Sequence, residues 1–261
     1  MNSLEKRMLE ILKQGKDEHG YVGIKSEYEA EGIRIDELLR LVELVRKADL
    51  RIGIKIGGCE AISDLYSCKQ IGADFIIAPM IETPYALSKY IEAKNKVFTK
   101  EEQEEVSFLF NLETITAYNN LTTIIKTANT ENGVRGVVMG RVDFAGSLNL
   151  DRSEVTSQKI TDYCIEVAKS CKENNLDYVV GGAVTLESID SIRQIQNVFL
   201  TRFETRKVIL SSESIKISDH KYLKNAIEFE LLALKNKYNY YSAIANEDLN
   251  RIKMLESRLN K

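Results

Sequence analysis

Short apolar runs in this 261-residue chain end in polar and charged side chains, and chemistry is to be sought at those ends. The run SFLFNLET closes on Asn111, Glu113 and Thr114, and GVVMGRVDF carries Arg141 and Asp143 just past its last glycine. Two carboxylates on neighbouring strand ends can hold one hard divalent cation, Mg2+ or Mn2+, and leave positions for water and a bidentate substrate. Such a cation draws electron density from a bound carbonyl, so that a bond to the adjacent carbon can break or form. The competing reading is structural, since carboxylates in these places also cap a following helix or pair with Lys and Arg.

Further candidates lie on other runs. YVGIKSEYE ends in Lys25, Glu27 and Glu29, RIGIKIGG in Lys55 and a glycine pair, and ADFIIAPMIE in Pro79, Met80 and Glu82. A lysine desolvated in an interior can form a Schiff base with a carbonyl substrate. A lysine set among carboxylates is instead a charge partner, which is the reading preferred here. In FLTRFETRKVIL, Arg202 or Arg206 could collect a substrate anion, but alternating Arg and Glu also make a ladder of ion pairs, and that reading is favoured. The pairs Gly57-Gly58 and Gly181-Gly182 match neither a dinucleotide nor a phosphate-loop fingerprint.

What must position these groups is an alternation of short strands and longer amphipathic segments. After an opening helix, marked by Leu4, Met8, Leu9 and Leu12 and expected to stop at Gly15, strand-like and helix-like runs follow one another to about residue 215. Repeated βα units demand a mostly parallel sheet covered by helices. About eight of them point to a TIM (β/α)8 barrel over 1–217, with working groups at the C-terminal strand ends. From 218 to 261 the texture changes to a helical extension, read as two helices that pack either on their own barrel or on a neighbouring subunit. A homo-oligomer is expected.

Composition excludes several classes. A net charge of -3 and a pI near 5.7 give no basic field, so nucleic acid and anionic membranes are poor partners. The charged N-terminal stretch is no signal peptide and no run is apolar enough to span a bilayer, which makes a cytoplasmic protein the expectation. Cys59, Cys68, Cys164 and Cys171 lack the spacing of a zinc site and read as reduced thiols.

The stretches IGIKIGGCEAISDLYSCKQIGADFIIAPMIETPYAL, FLFNLETITAYNNL and GVVMGRVDFAGSLNL, in this order, resemble the HpcH/HpaI aldolase and citrate lyase beta-subunit family over roughly residues 20 to 215. The resemblance implies a metal-dependent barrel acting on a pyruvate-like 2-oxo acid or on an acyl-CoA thioester. Glu113 and Asp143 take the metal-ligand positions, and the backbone after Pro79, at Met80, approaches the substrate carboxylate. Arg141 and Arg202 are further candidates for substrate contact. Two departures stand out. Lys55 occupies the place of the family's substrate-gripping arginine and supplies charge without the bidentate fork. The histidine base of the aldolase branch has no counterpart, because His19 and His220 fall outside the strand ends. A metal-bound water, Glu27 or Glu29 is left as the base. The leading expectation is a metal-dependent carbon–carbon lyase. A citrate-lyase-like enzyme acting on acyl-CoA is the alternative, and a barrel that binds without turnover is a third.

Overall fold

The computed structural model describes residues 1–260. Helix α1 (Ser3–His19) precedes β1 (Tyr21–Glu27), then come α2 (Ile35–Lys47), β2 (Arg51–Lys55), α3 (Ile62–Ile71) and β3 (Phe75–Ala78). Helices α4 (Pro84–Val97) and α5 (Lys100–Glu105) lead to β4 (Ser107–Leu112), and α6 (Ile115–Asn119) and α7 (Leu121–Ala128) to β5 (Gly136–Gly140). Next are α8 (Arg141–Ser147), α9 (Gln158–Glu173), β6 (Asp177–Gly181), α10 (Ile189–Val198), β7 (Arg202–Glu204), β8 (Val208–Ser211) and α11 (Lys221–Leu259). The eight strands close into one barrel in sequence order. No helix is long and apolar enough to cross a membrane.

Local chemistry sets the helix ends. Asn2 and Glu5 cap α1 reciprocally, each side chain accepting from the other's backbone N–H, and Gly20 ends the helix in the left-handed region at φ 69. The helix therefore runs past Gly15, which was expected to stop it. Gly15 serves packing instead: a Cβ there would lie 2.1 Å from the Tyr21 ring. At α4, Thr83 accepts from the Ala86 N–H and Pro84 opens the first turn, where its missing N–H costs nothing.

Inside the barrel, Phe75, Ile77, Leu109, Val138, Val179 and Ile209 form a plug. A larger apolar layer fills the space between the strands and the outer helices, and strands such as Phe75–Ala78 are buried on both faces. Three thiols, Cys68, Cys164 and Cys171, are buried in this layer, Cys59 is half-buried, and all four are free.

Two features depart from the expected pattern of βα repeats. Strands β1 to β7 are parallel, but β8 runs antiparallel to both β7 and β1. Only Thr205, Arg206 and Lys207 join β7 to β8. A parallel return needs a dozen residues or more, so this link can only make a hairpin. Beyond β8, the segment expected to be two helices is a single helix of 39 residues. It contains no Gly or Pro to break it.

Reversal of β8 delivers the chain to the N-terminal end of the barrel, and α11 climbs back along the outside, antiparallel to α1. Pairings Asn225–Gln14, Arg7–Glu228 and Asn2–Asn236 mark the climb. Near the other end, Lys237 lies 2.9 Å from Glu37 at the start of α2, and the Tyr241 hydroxyl donates to the same carboxylate.

Tyr21 is pinned, because its hydroxyl donates to the Tyr222 carbonyl at 2.7 Å. Gly15→Ala is therefore expected to lower stability by about 1–3 kcal/mol through overpacking, despite the better helix propensity of alanine. The midpoint and slope of urea unfolding check this, and an unchanged or raised stability would refute the packing role.

Candidate active site

Strand alternation turns Lys25 and Glu27 of β1 to the same side, toward the C-terminal mouth of the barrel. Closure brings the end of β7 against them. Lys25 Nζ lies 2.5 Å from Glu204 Oε1 and 3.3 Å from Glu27 Oε1, and all three side chains are nearly excluded from solvent. On the neighbouring strand, Lys55 Nζ lies 3.1 Å from Glu29 Oε2 and 3.6 Å from Glu113 Oε2. These four carboxylates and two ammonium groups together carry a formal charge of -2.

Glu113 is the best-fixed acid of the group and is 1% exposed. Asn111 Nδ2 donates to its Oε2 at 2.6 Å, and the Met80 backbone N–H donates to its Oε1 at 2.9 Å. The adjacent strand end makes room for it. A Cβ on Gly140 would sit 2.7 Å from both Cβ and Oε2 of Glu113. Met80, with φ 51, holds a left-handed conformation that costs a non-glycine residue energy, and in doing so aims its N–H at the carboxylate.

Asp143 stands in the first turn of α8, three residues beyond Gly140, and is exposed. Among the described residues it has no hydrogen-bond or ion-pair partner. Its position thus differs from that of Glu113: one acid is buried and anchored, the other is open to solvent.

Burial alone would lower the pKa of Lys25, but the facing carboxylates of Glu204 and Glu27 outweigh it and make this ammonium more basic than a free lysine. The same competition, burial against Glu113, Glu29 and Glu27, raises Lys55. Both lysines are therefore protonated at neutral pH. A protonated amine does not attack a carbonyl, which argues against an imine at either position.

Other expected site residues lie elsewhere. Arg141 is 1% exposed and directed into the protein. Its guanidinium donates to the carbonyls of Gly181 and Gly182 and to Ser191 Oγ, tying down the loop after β6, so no part of it is free for substrate. Arg202 opens β7 at the opposite end of the barrel, where it donates to Asp177 at 2.9 Å and stacks 4.9 Å from the Phe75 ring centroid. It belongs to the floor. Pro79 and Met80 do reach the mouth, but the Met80 N–H is engaged by Glu113 and the Ile81 N–H by the Asn111 carbonyl at 3.3 Å. Glu204 was read as one rung of an ion-pair ladder. It is instead the tightest partner of Lys25, and its place at a strand end was the available signal.

Among the described residues no group of three or more His, Cys, Asp and Glu has the spacing of a metal site. A divalent cation is nevertheless compatible with the mouth in two respects. It would balance the charge of -2, and Asn111 Oδ1, buried beside Glu113, has no hydrogen-bond donor. A cavity of about 980 Å³ lies beside the mouth between α1, α2 and α11.

The comparisons with known proteins agree with this architecture. The family model described as HpcH/HpaI aldolase/citrate lyase matches residues 32–199. The chain belongs to this family. A solved HpcH/HpaI aldolase from Desulfitobacterium hafniense superposes with a TM-score of 0.59 at 12% identity, covering 84% of this chain and 88% of that one. A family protein from Burkholderia cenocepacia gives 0.58 at 13%, covering 87% and 99%, and a citrate lyase from Burkholderia xenovorans 0.58 at 15%, covering 80% and 71%. At such identities the structures speak for the fold alone. No curated protein matches the sequence. Family membership makes this an enzyme of the aldolase and lyase class.

Removing the ammonium of Lys25 would leave Glu204 and Glu27 buried without a counter-charge. Lys25→Met is expected to cost about 3–5 kcal/mol, with a large part regained in the double variant Lys25→Met, Glu204→Gln. Chemical denaturation at pH 7 measures both, and additive losses would show that the two side chains are not coupled.

Proposed function

We propose that the chain is a divalent-cation-dependent carbon–carbon lyase acting on a 4-hydroxy-2-oxo acid. The reading is carried by Glu113, a buried carboxylate fixed by Asn111 and the Met80 N–H, with the unpaired Asp143 on the next strand end. Glu113 and Asp143 would hold the Mg2+ or Mn2+ ion. When bound, that ion supplies Lewis-acid polarisation of the 2-oxo group.

The remaining tasks fall to the chain's own side chains. Lys55, at the mouth between Glu29 and Glu113, is placed to neutralise the substrate carboxylate as a point charge. Its turning toward substrate would release Glu29, whose side chain is 30% exposed and whose ion-pair partner is Lys55. Glu29 then takes the proton of the C4 hydroxyl. C4 becomes a carbonyl as the C3–C4 bond breaks, the electron pair passes to C3 and the 2-oxo group, and the same carboxyl returns the proton to C3. The products are an aldehyde and a shorter 2-oxo acid. Glu27, paired with Lys25 and 10% exposed against 30% for Glu29, helps to keep that ammonium in place.

Glu113→Gln keeps the shape of the side chain and removes its charge. It is expected to abolish Mn2+ binding by isothermal titration and to lower turnover at least about a hundredfold, the scale of losing a principal electrostatic contact in a site. The far-ultraviolet circular dichroism should be unchanged. Release of pyruvate from a panel of 4-hydroxy-2-oxo acids gives the turnover. Wild-type activity in this variant would overturn the assignment, and Mn2+ binding without turnover of any substrate by the wild type would favour a barrel that only binds.

A further inference from the structure

Helix α11 extends for about 58 Å at 1.5 Å per residue, yet only its first part is covered by the barrel. Tyr222, Ala226 and Phe229 are buried, and the last contacts with the body are those of Lys237 and Tyr241 with Glu37 at the rim. Beyond Ser242 nearly every residue is exposed. An isolated helix of that length is marginal in water, and this one carries large apolar side chains as well.

Those side chains follow a rule. On the covered half, Ile227, Leu231, Leu234 and Tyr238 are 48% to 72% exposed. In sequence the alternation of four and three continues through Tyr241, whose side chain is held by Glu37 of the same chain, and through Ala245 and Asp248 to Ile252, Leu255 and Leu259. A repeat of 3.5 residues is the seam of a coiled coil, and it fits another helix rather than a sheet or a lipid surface. It also runs without a break in register from the covered half of α11 into the free half.

We propose that this seam pairs with the same seam of a second copy of the chain, as a parallel two-stranded coiled coil. The flanking charges support a parallel self-pairing. With Leu231 and Leu234 at the first and fourth heptad positions, Glu230 faces Lys235 of the other copy, and Arg251 faces Glu256. Between these two opposite-charge pairs, Ile244 faces Leu249 and widens the apolar strip. The two-fold axis makes each pairing twice. Asp248 is the one charged seam residue and would meet its own copy, which weakens the pair while favouring a single register. Since α11 climbs toward the mouth, a parallel pair opens both mouths in the same direction beside a shared stalk. This inference stands on α11 alone and is independent of the proposed reaction.

Sedimentation of the full chain at micromolar concentration tests it. The wild type should be a dimer or an assembly of dimers, Leu255→Asp should raise the dissociation constant by at least about tenfold, and Asp248→Leu should lower it. Arg251→Glu and Glu256→Arg should each weaken association, and together restore it. Residues five apart on one helix do not face each other, so rescue can arise only between copies. None of these positions touches the barrel, and circular dichroism confirms that each variant is folded. A wild type that stays monomeric would assign the seam to a helix of another protein and overturn the proposal. Association indifferent to Leu255→Asp, or a double charge exchange that fails to restore it, would overturn it equally.

Discussion

Two ammonium groups enclosed by four carboxylates hold the centre of this molecule together. Lys25 and Lys55 lie where water is largely excluded, and there an uncompensated charge of either sign would be costly. Lys25 needs Glu204, which the barrel supplies only when β7 has closed through β8 onto β1. Lys55 needs Glu29 and Glu113, from the loop after β1 and the end of β4. Closure and compensation of charge are thus the same event.

The same arrangement suits a lysine at the place where the family resemblance implies an arginine. An arginine fork fixes a carboxylate by geometry, while a lysine fixes it by charge and is itself placed by its neighbours. Glu29 and Glu113 provide that placement for Lys55, and by raising its pKa they keep it a cation and not a nucleophile. Arg141 illustrates the contrast. Its fork is used on the backbone carbonyls of Gly181 and Gly182 and on Ser191 Oγ, where a planar group with several donors can satisfy oxygens that would otherwise be buried without partners.

The hairpin at β7 and β8 links the site to the outside of the protein. It reverses the last strand, hands the chain to the floor, and obliges the final helix to travel upward along α1. A helix that starts at the floor and is longer than the barrel must rise past the mouth.

Much of this was legible in the residues themselves. The alternation of apolar runs specifies the strands, because burial on both faces leaves no room for polar positions, and the lack of Gly and Pro after 221 marks the end of the chain as helical, although the pattern reads as two helices and the chain forms one. The sequence also places Glu113 and Asp143 at the ends of such runs. Tertiary structure alone decided the partners. Whether an acid at a strand end is buried like Glu113 or open like Asp143, whether Arg141 faces the mouth or the loop behind it, and whether Arg202 lies at the roof or the floor depend on how neighbouring strands are staggered and closed. Local pattern is a property of successive residues. Charge pairing depends on distances across the barrel between segments as far apart in the chain as Lys25 and Glu204, and those distances exist only once it has closed.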